Sequence, residues 1–214
     1  MEKKGLIKKF FLARLFGKQI KILKDRGCPG RIITTLQNQK IAVIKKASEM
    51  TFEFGHIPFL PVMSLKSYDV SKLMAMIEYS GHTSLSQARI LDLETVPKEA
   101  ESYYIYDVED GETTRGKLPY IVGKTFAQQK RFPLTVAEIV SLCIQSPAAC
   151  WRYGMWALGS NYVPADYVPD DPLLHPYLIS LLITADFSGR PILIYDRFYT
   201  ADYALKNSPS CGSR

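Results

Sequence analysis

Three residues of this chain are the best suited to chemistry: Asp107, Arg131 and Cys211. Asp107 follows Tyr103 and Ile105 on one face of the alternating run Y-Y-I-Y-D-V-E, so its carboxylate is drawn toward an apolar surface and wants a cation. Arg115, Lys117 and Arg131 are the candidates to supply it. Cys211 stands in P-S-C-G-S-R, small residues whose loop composition predicts an exposed thiol that could serve as a nucleophile. Such a thiol needs a histidine beside it, and His56, His82 and His175 are equally available. An enzyme built on Asp107, Arg131 and Cys211 is therefore one reading of the chain. His56 itself, between Gly55 and Ile57-Pro58, reads as a packed loop histidine.

The remaining candidates have simpler explanations. Asp107, Glu109, Asp110 and Glu112 suggest a cation site, but a calcium loop with Gly111 as its glycine would start at Tyr106 and end at Lys117. A solvated acidic turn fits better. Glu138 stands three after Thr135, the spacing of a capping box in which hydroxyl and carboxylate satisfy the first N–H groups of a helix. Cys143 shares a helical stripe with Val136, Ile139 and Val140, which makes it core, and Cys150 reads the same way. No zinc-type cysteine spacing, phosphate-binding glycine pattern, G-x-S-x-G, H-E-x-x-H or dinucleotide fingerprint occurs, so neither a metal nor a cofactor is expected.

Charge divides the chain. Residues 1–50 carry thirteen Lys or Arg against three acids, +10, and the remainder fourteen against eighteen, −4. A basic segment of this kind can meet nucleic acid, anionic lipid or its own body. Because the aromatics lie mainly in the acidic part, association with nucleic acid is not the favoured reading. Thiols without paired spacing predict a reduced, cytoplasmic protein. Arg14 interrupts the Phe10–Phe16 run against a signal peptide, and Tyr177–Ala185 is far shorter than the roughly 20 residues that cross a bilayer. No membrane span is expected.

The elements that must position these residues are legible in outline. Residues 2–26 predict one helix stopped by Gly27. One apolar stripe is Leu12, Ala13, Phe16, Ile20 and Leu23; a second, Ile7, Phe11, Leu15 and Ile22, lies on the far side. A helix apolar on two sides packs on both or offers one to a partner, so a homo-oligomer through this helix is expected. Ile32–Met50 predicts a further helix, Phe52–Met63 an edge or irregular strand, and Asp69 or Ser67 caps a helix running to Ile77. Tyr103–Glu109 predicts a buried strand turning at Asp110-Gly111, Leu118–Lys130 a helix, and Val136–Gln145 a helix capped by Thr135 and stapled by Leu134 and Ile139. Tyr153–Leu158 predicts a strand ending in a turn at Gly159–Asn161. Residues 170–185 stay open between helix and strand, and Pro191–Tyr199 predicts a strand after a turn at Ser188-Gly189. The fold class is α+β, a basic helical region over 1–50 and a mixed domain over 51–214.

The order D-V-E-D-G-E, R-F-P-L-T-V-A-E, L-G-S, S-G-R-P and P-S-C-G-S-R, with G-H-I-P-F upstream, resembles a family of uncharacterised bacterial proteins known only as a domain of unknown function. The resemblance covers roughly residues 50–214. It implies a single architecture and a bacterial-type cytosolic protein, and carries no reaction with it. Where the family has Trp, Cys and His near its C-terminus, this chain reads I-L-I-Y-D-R-F-Y-T-A-D-Y, and Asp170–Ala185 looks like extra or altered chain. Taken together, the residues favour a non-catalytic binding or interaction protein.

Overall fold

The computed structural model describes residues 2–92, 95–97, 100–152, 154–163, 179–197 and 206–214, leaving aside the side chains of 2–7, 150–152, 179–180 and 196–197. The predicted α+β class is what forms. Helix α1 (Glu2–Asp25) ends where Gly27 turns the chain, and α2 (Gly30–Asn38) and α3 (Lys40–Glu49) follow. The single helix expected over Ile32–Met50 is therefore two, broken at Gln39, with neither Gly nor Pro to mark the break.

The first stripe of α1 is core as expected: Leu12, Phe16, Ile20 and Leu23 are buried. Phe16 stacks on Tyr104 and tilts against Phe59, with ring centroids 5.8 and 6.2 Å apart. Gln19, buried in the same stripe, donates to Phe59 O at 2.7 Å. Part of the basic charge of residues 1–50 is answered within the molecule. Lys8 donates to Ser48 O at 2.9 Å, Lys46 lies 4.1 Å from the Tyr106 ring centroid, and Arg26 and Arg31 face Glu78 and Glu101.

Strand β1 (Ile57–Met63) pairs antiparallel with β4 (Ser102–Val108), in a register that sets Ile57 opposite Val108 and Val62 opposite Tyr103. Between them run α4 (Val70–Ala75), capped by Asp69 through Ser71 N and Lys72 N, and the short strands β2 (His82–Thr83) and β3 (Ile90–Asp92). After β4 come α5 (Pro119–Gln129), β5 (Phe132–Pro133), α6 (Val136–Gln145) and α7 (Pro147–Arg152). The α6 start matches its signature, capping box included, and Leu134 and Ile139 are fully buried beside it.

A larger sheet takes the order β2-β8-β7-β6-β3, with β6 (Gly154–Tyr162), β7 (Ile179–Ala185) and β8 (Pro191–Arg197) antiparallel neighbours. The ambiguity over 170–185 resolves to strand from Ile179; residues 170–178 lie outside the described chain. The turn expected at Gly159–Asn161 is instead strand. Gly159 is there because β6 crosses the β5–α6 junction, where a Cβ would come 2.6 Å from Pro133 O. Its N–H donates to Leu134 O at 2.9 Å. Close approach, rather than turning, accounts for this glycine.

The largest departure is the tail. Residues 206–214 have loop composition, yet Asn207–Cys211 are buried. Strand β9 (Lys206–Asn207) joins the edge of β6, and β10 (Ser210–Cys211) pairs with β5.

Candidate functional site

The motif residues gather around this tail. On one side Tyr106 and Glu109 of the β4 end bond it: Tyr106 N donates to Ser213 O and Glu109 N to Ser210 O, both at 2.9 Å, while Gly212 N donates back to Tyr106 O at 2.9 Å. On the other, Leu134 N donates to Pro209 O at 3.1 Å and β5 supplies a short ladder. The tail is thus hydrogen-bonded like a strand between two others, which satisfies main-chain groups that burial would otherwise orphan. Gly111, at φ +91°, makes the Asp110-Gly111 turn, and a Cβ there would meet Ser208 C at 2.8 Å. Thr114 Oγ1 accepts Ser208 N–H at 2.8 Å, and Glu109 accepts from Thr113 and from Ser210 Oγ.

Two arginine–carboxylate pairs clamp the arrangement. Arg131 Nη1 lies 2.5 Å from Asp107 Oδ2, its Nη2 donates to Asp107 O at 2.7 Å, and its Nε to Ser210 Oγ at 2.7 Å. Of the three cations offered to Asp107 by sequence, Arg131 is the one that pairs with it; Arg115 faces Glu112 at 3.7 Å. The other oxygen of Asp107 stands 2.6 Å from His56 Nδ1. Burial alone would push the Asp107 carboxyl up, but the hydrogen bonds and charges of His56 and Arg131 hold it below the usual carboxylate range. Asp107 also has φ +55°, in the left-handed region that Asp and Asn enter more readily than other non-glycine residues.

The second pair was missed by the sequence. Arg214 Nε donates to Glu138 Oε1 at 2.7 Å and Nη2 to Oε2 at 2.9 Å, and Nη2 also reaches Pro133 O at 2.8 Å. Glu138 is 0% exposed and the Arg214 side chain 5%. Glu138 therefore caps α6 through Thr135 N and neutralises the tail arginine with the same carboxylate; Tyr103 Oη adds a donor at 3.2 Å.

Cys211 lies between these pairs and is 0% exposed, so the exposed thiol expected from its neighbours is not present. Burial first, and then the Glu138 charge, push the thiol up to about 12. Asp107 and Arg131 are brought into direct contact, while Cys211 reaches them through its neighbour Ser210. His56, one of the three histidines offered to Cys211, pairs instead with Asp107, because the Ile57–Val108 register of β1 and β4 sets it beside that carboxylate. Cys143 is core as expected but is disulfide-bonded, which corrects the expectation of reduced thiols; Cys28 and Cys211 are free. Among the described residues, no three of His, Cys, Asp and Glu gather as metal ligands, and no helix is long and apolar enough to cross a membrane.

A family model described as a family of unknown function, DUF5701, matches residues 27–161, more than half the chain. The chain belongs to this family. The match begins in the helical region, ahead of the expected residue 50, and ends within β6. It contains Asp107, Arg131 and Glu138, and leaves Cys211 and Arg214 outside. No curated protein and no solved structure matches the chain.

Proposed function

We propose that this DUF5701 member is a non-catalytic binding or interaction protein that self-associates through the outward face of α1. The observation that carries the reading is Phe10 and Phe11, 74% and 56% exposed on that helix. Phe11 continues the second apolar stripe, whose Leu15 and Ile22 are only partly buried against the body. Two neighbouring phenylalanines in water forfeit burial that a second copy of the chain would restore. The charged motif residues support the same reading from the other direction. Asp107, Arg131, Glu138 and Arg214 spend hydrogen bonds on one another and on other groups of the chain, and the thiol among them is closed to solvent.

Deleting residues 1–26 would strip Leu12, Phe16, Ile20 and Leu23 from the core, so point variants are the better test. The full chain sediments as a dimer or larger species, and Phe10→Glu/Phe11→Glu as a monomer; a wild-type monomer at all concentrations overturns self-association. For the non-catalytic part, native protein resists iodoacetamide at Cys211 at pH 8 and is modified there once unfolded. Rapid native labelling of Cys211 would count for an enzyme instead. Internal pairing of Lys8, Arg26, Arg31 and Lys46 leaves less charge for nucleic acid. A cytoplasmic location loses the support of reduced thiols with the disulfide at Cys143.

A further inference from the structure

The face of α1 that exposes Phe10 and Phe11 is strongly basic. Arg14 follows Phe10 by four residues, and Lys18 and Lys21 follow Arg14 by four and seven, so helical spacing sets them in one strip. All three are exposed. Between Lys9 and Asp25 the one acid is Asp25 itself, 3.1 Å from Lys21. Where the strip ends, a cleft of about 460 Å³ opens between α1 and the α2–α3 corner, within the size range of small-molecule sites. Phe16 and Ile20 give it an apolar floor, and its charged residues are Lys21, Lys24 and Lys40 against Asp25, three cations to one anion. Lys40 reaches in from α3, its Nζ 6.0 Å from the Phe16 ring centroid.

This charge opposes self-association. A two-fold dimer presents the same strip on both copies. Parallel helices set Arg14 and Lys18 each against its own counterpart. Antiparallel helices that meet at the Phe10–Phe11 step set positions 14 and 18 against positions 7 and 3, which are Ile and Lys. Neither direction brings a carboxylate of one strip to a cation of the other. Like charges that face one another across an interface work against it, and an anion between them removes that cost.

We propose that a multivalent phosphate-class anion, such as an oligophosphate, binds this strip, seated in the cleft by Lys21, Lys24 and Lys40, and that the neutralised faces then associate more tightly. A concave site with apolar walls and a surplus of one sign of charge focuses the field on such an anion. The coupling rests on self-association through α1; the binding does not. By linkage, the factor by which the anion tightens association is also the factor by which association tightens the anion.

The test titrates sodium tripolyphosphate into the full chain by isothermal calorimetry, and follows association by sedimentation in tripolyphosphate and in sodium chloride of equal ionic strength. Tripolyphosphate binds saturably and tightens association about tenfold beyond the chloride control. The monomeric variant Phe10→Ser/Phe11→Ser still binds it, about tenfold more weakly. Lys24→Ser/Lys40→Ser, at two exposed positions, loses both the binding and the anion effect while still self-associating. No saturable heat from the wild type, or wild-type binding by Lys24→Ser/Lys40→Ser, overturns the site whether or not the chain associates. Binding without tightening beyond chloride overturns the coupling. A short single-stranded oligonucleotide that matches tripolyphosphate at equal phosphate concentration assigns the strip to nucleic acid and overturns the proposal. If the chain is monomeric under every condition yet binds tripolyphosphate, self-association and the coupling fail while the anion site stands.

Discussion

The two arginine–carboxylate pairs flanking Cys211 use the same chemistry in different surroundings. Arg214–Glu138 is dry, with side chains 5% and 0% exposed, whereas Arg131–Asp107 is 14% and 16% exposed and shares its carboxylate with His56. A dry pair has no water to fall back on when one partner is lost. A wetter one has water. Loss of the first pair should therefore loosen the tail more than loss of the second.

The sharpest break of this contrast is Arg214→Ala. It leaves Glu138 fully buried with the α6 cap and Tyr103 as its remaining hydrogen-bond partners, and breaking a buried pair in this way costs about 3–5 kcal/mol. Urea denaturation measures the loss. Adding Glu138→Gln to Arg214→Ala removes the stranded charge and recovers part of it. If the double variant is no more stable than the single one, the dry pair is not what fixes the tail.

Arg131→Ala should cost less, about 1.5–3 kcal/mol, the range for hydrogen bonds to charged groups. Asp107 keeps His56, but Ser210 Oγ and Asp107 O each lose a donor. A loss equal to that of Arg214→Ala would erase the distinction between the two pairs.

Asp107→Asn gives a smaller effect with a pH signature. Because the folded carboxyl is held below its ordinary value, its contribution is present above about pH 4 and is lost as pH falls through the folded value. The stability gap between wild type and Asp107→Asn should accordingly narrow as pH is lowered from 6 to 3. Asparagine tolerates the left-handed backbone at this position, so the substitution reports charge rather than strain. A gap independent of pH would show that the carboxylate charge contributes nothing.

How legible these pairs were differs for physical reasons. Thr135, Glu138, Leu134 and Ile139 announce α6 because capping is local, and all four behave as their spacing implies. Asp107's need for a cation was visible from its apolar face, and Arg131 was among the three offered. His56 was hidden because its closeness depends on β1–β4 pairing across 51 residues. The role of Arg214 was hidden more deeply. Ser, Pro and Gly are read as loop residues because each favours turns, yet here the main chain that carries them is hydrogen-bonded between β4 and β5. Gly159 misled for the same reason, serving close approach where a turn was expected. Local rules see a residue's neighbours in sequence, and these residues answer to neighbours in space.

The smallest expected effect sets the scale's lower end. Lys21 and Asp25 stand 3.1 Å apart at helical i,i+4 spacing on α1, with side chains 78% and 59% exposed. In distance this pair resembles the two at the tail; in surroundings it has full access to water and salt. Water compensates either group once its partner is gone, so Lys21→Ala should change stability by no more than about 0.5 kcal/mol. Raising the salt concentration should shrink even that difference, because exposed charges are screened while the Arg214–Glu138 pair is not. If Lys21→Ala cost as much as Arg131→Ala, pair geometry rather than burial would govern these interactions, and the contrast between the dry and the wetter clamp would lose its cause.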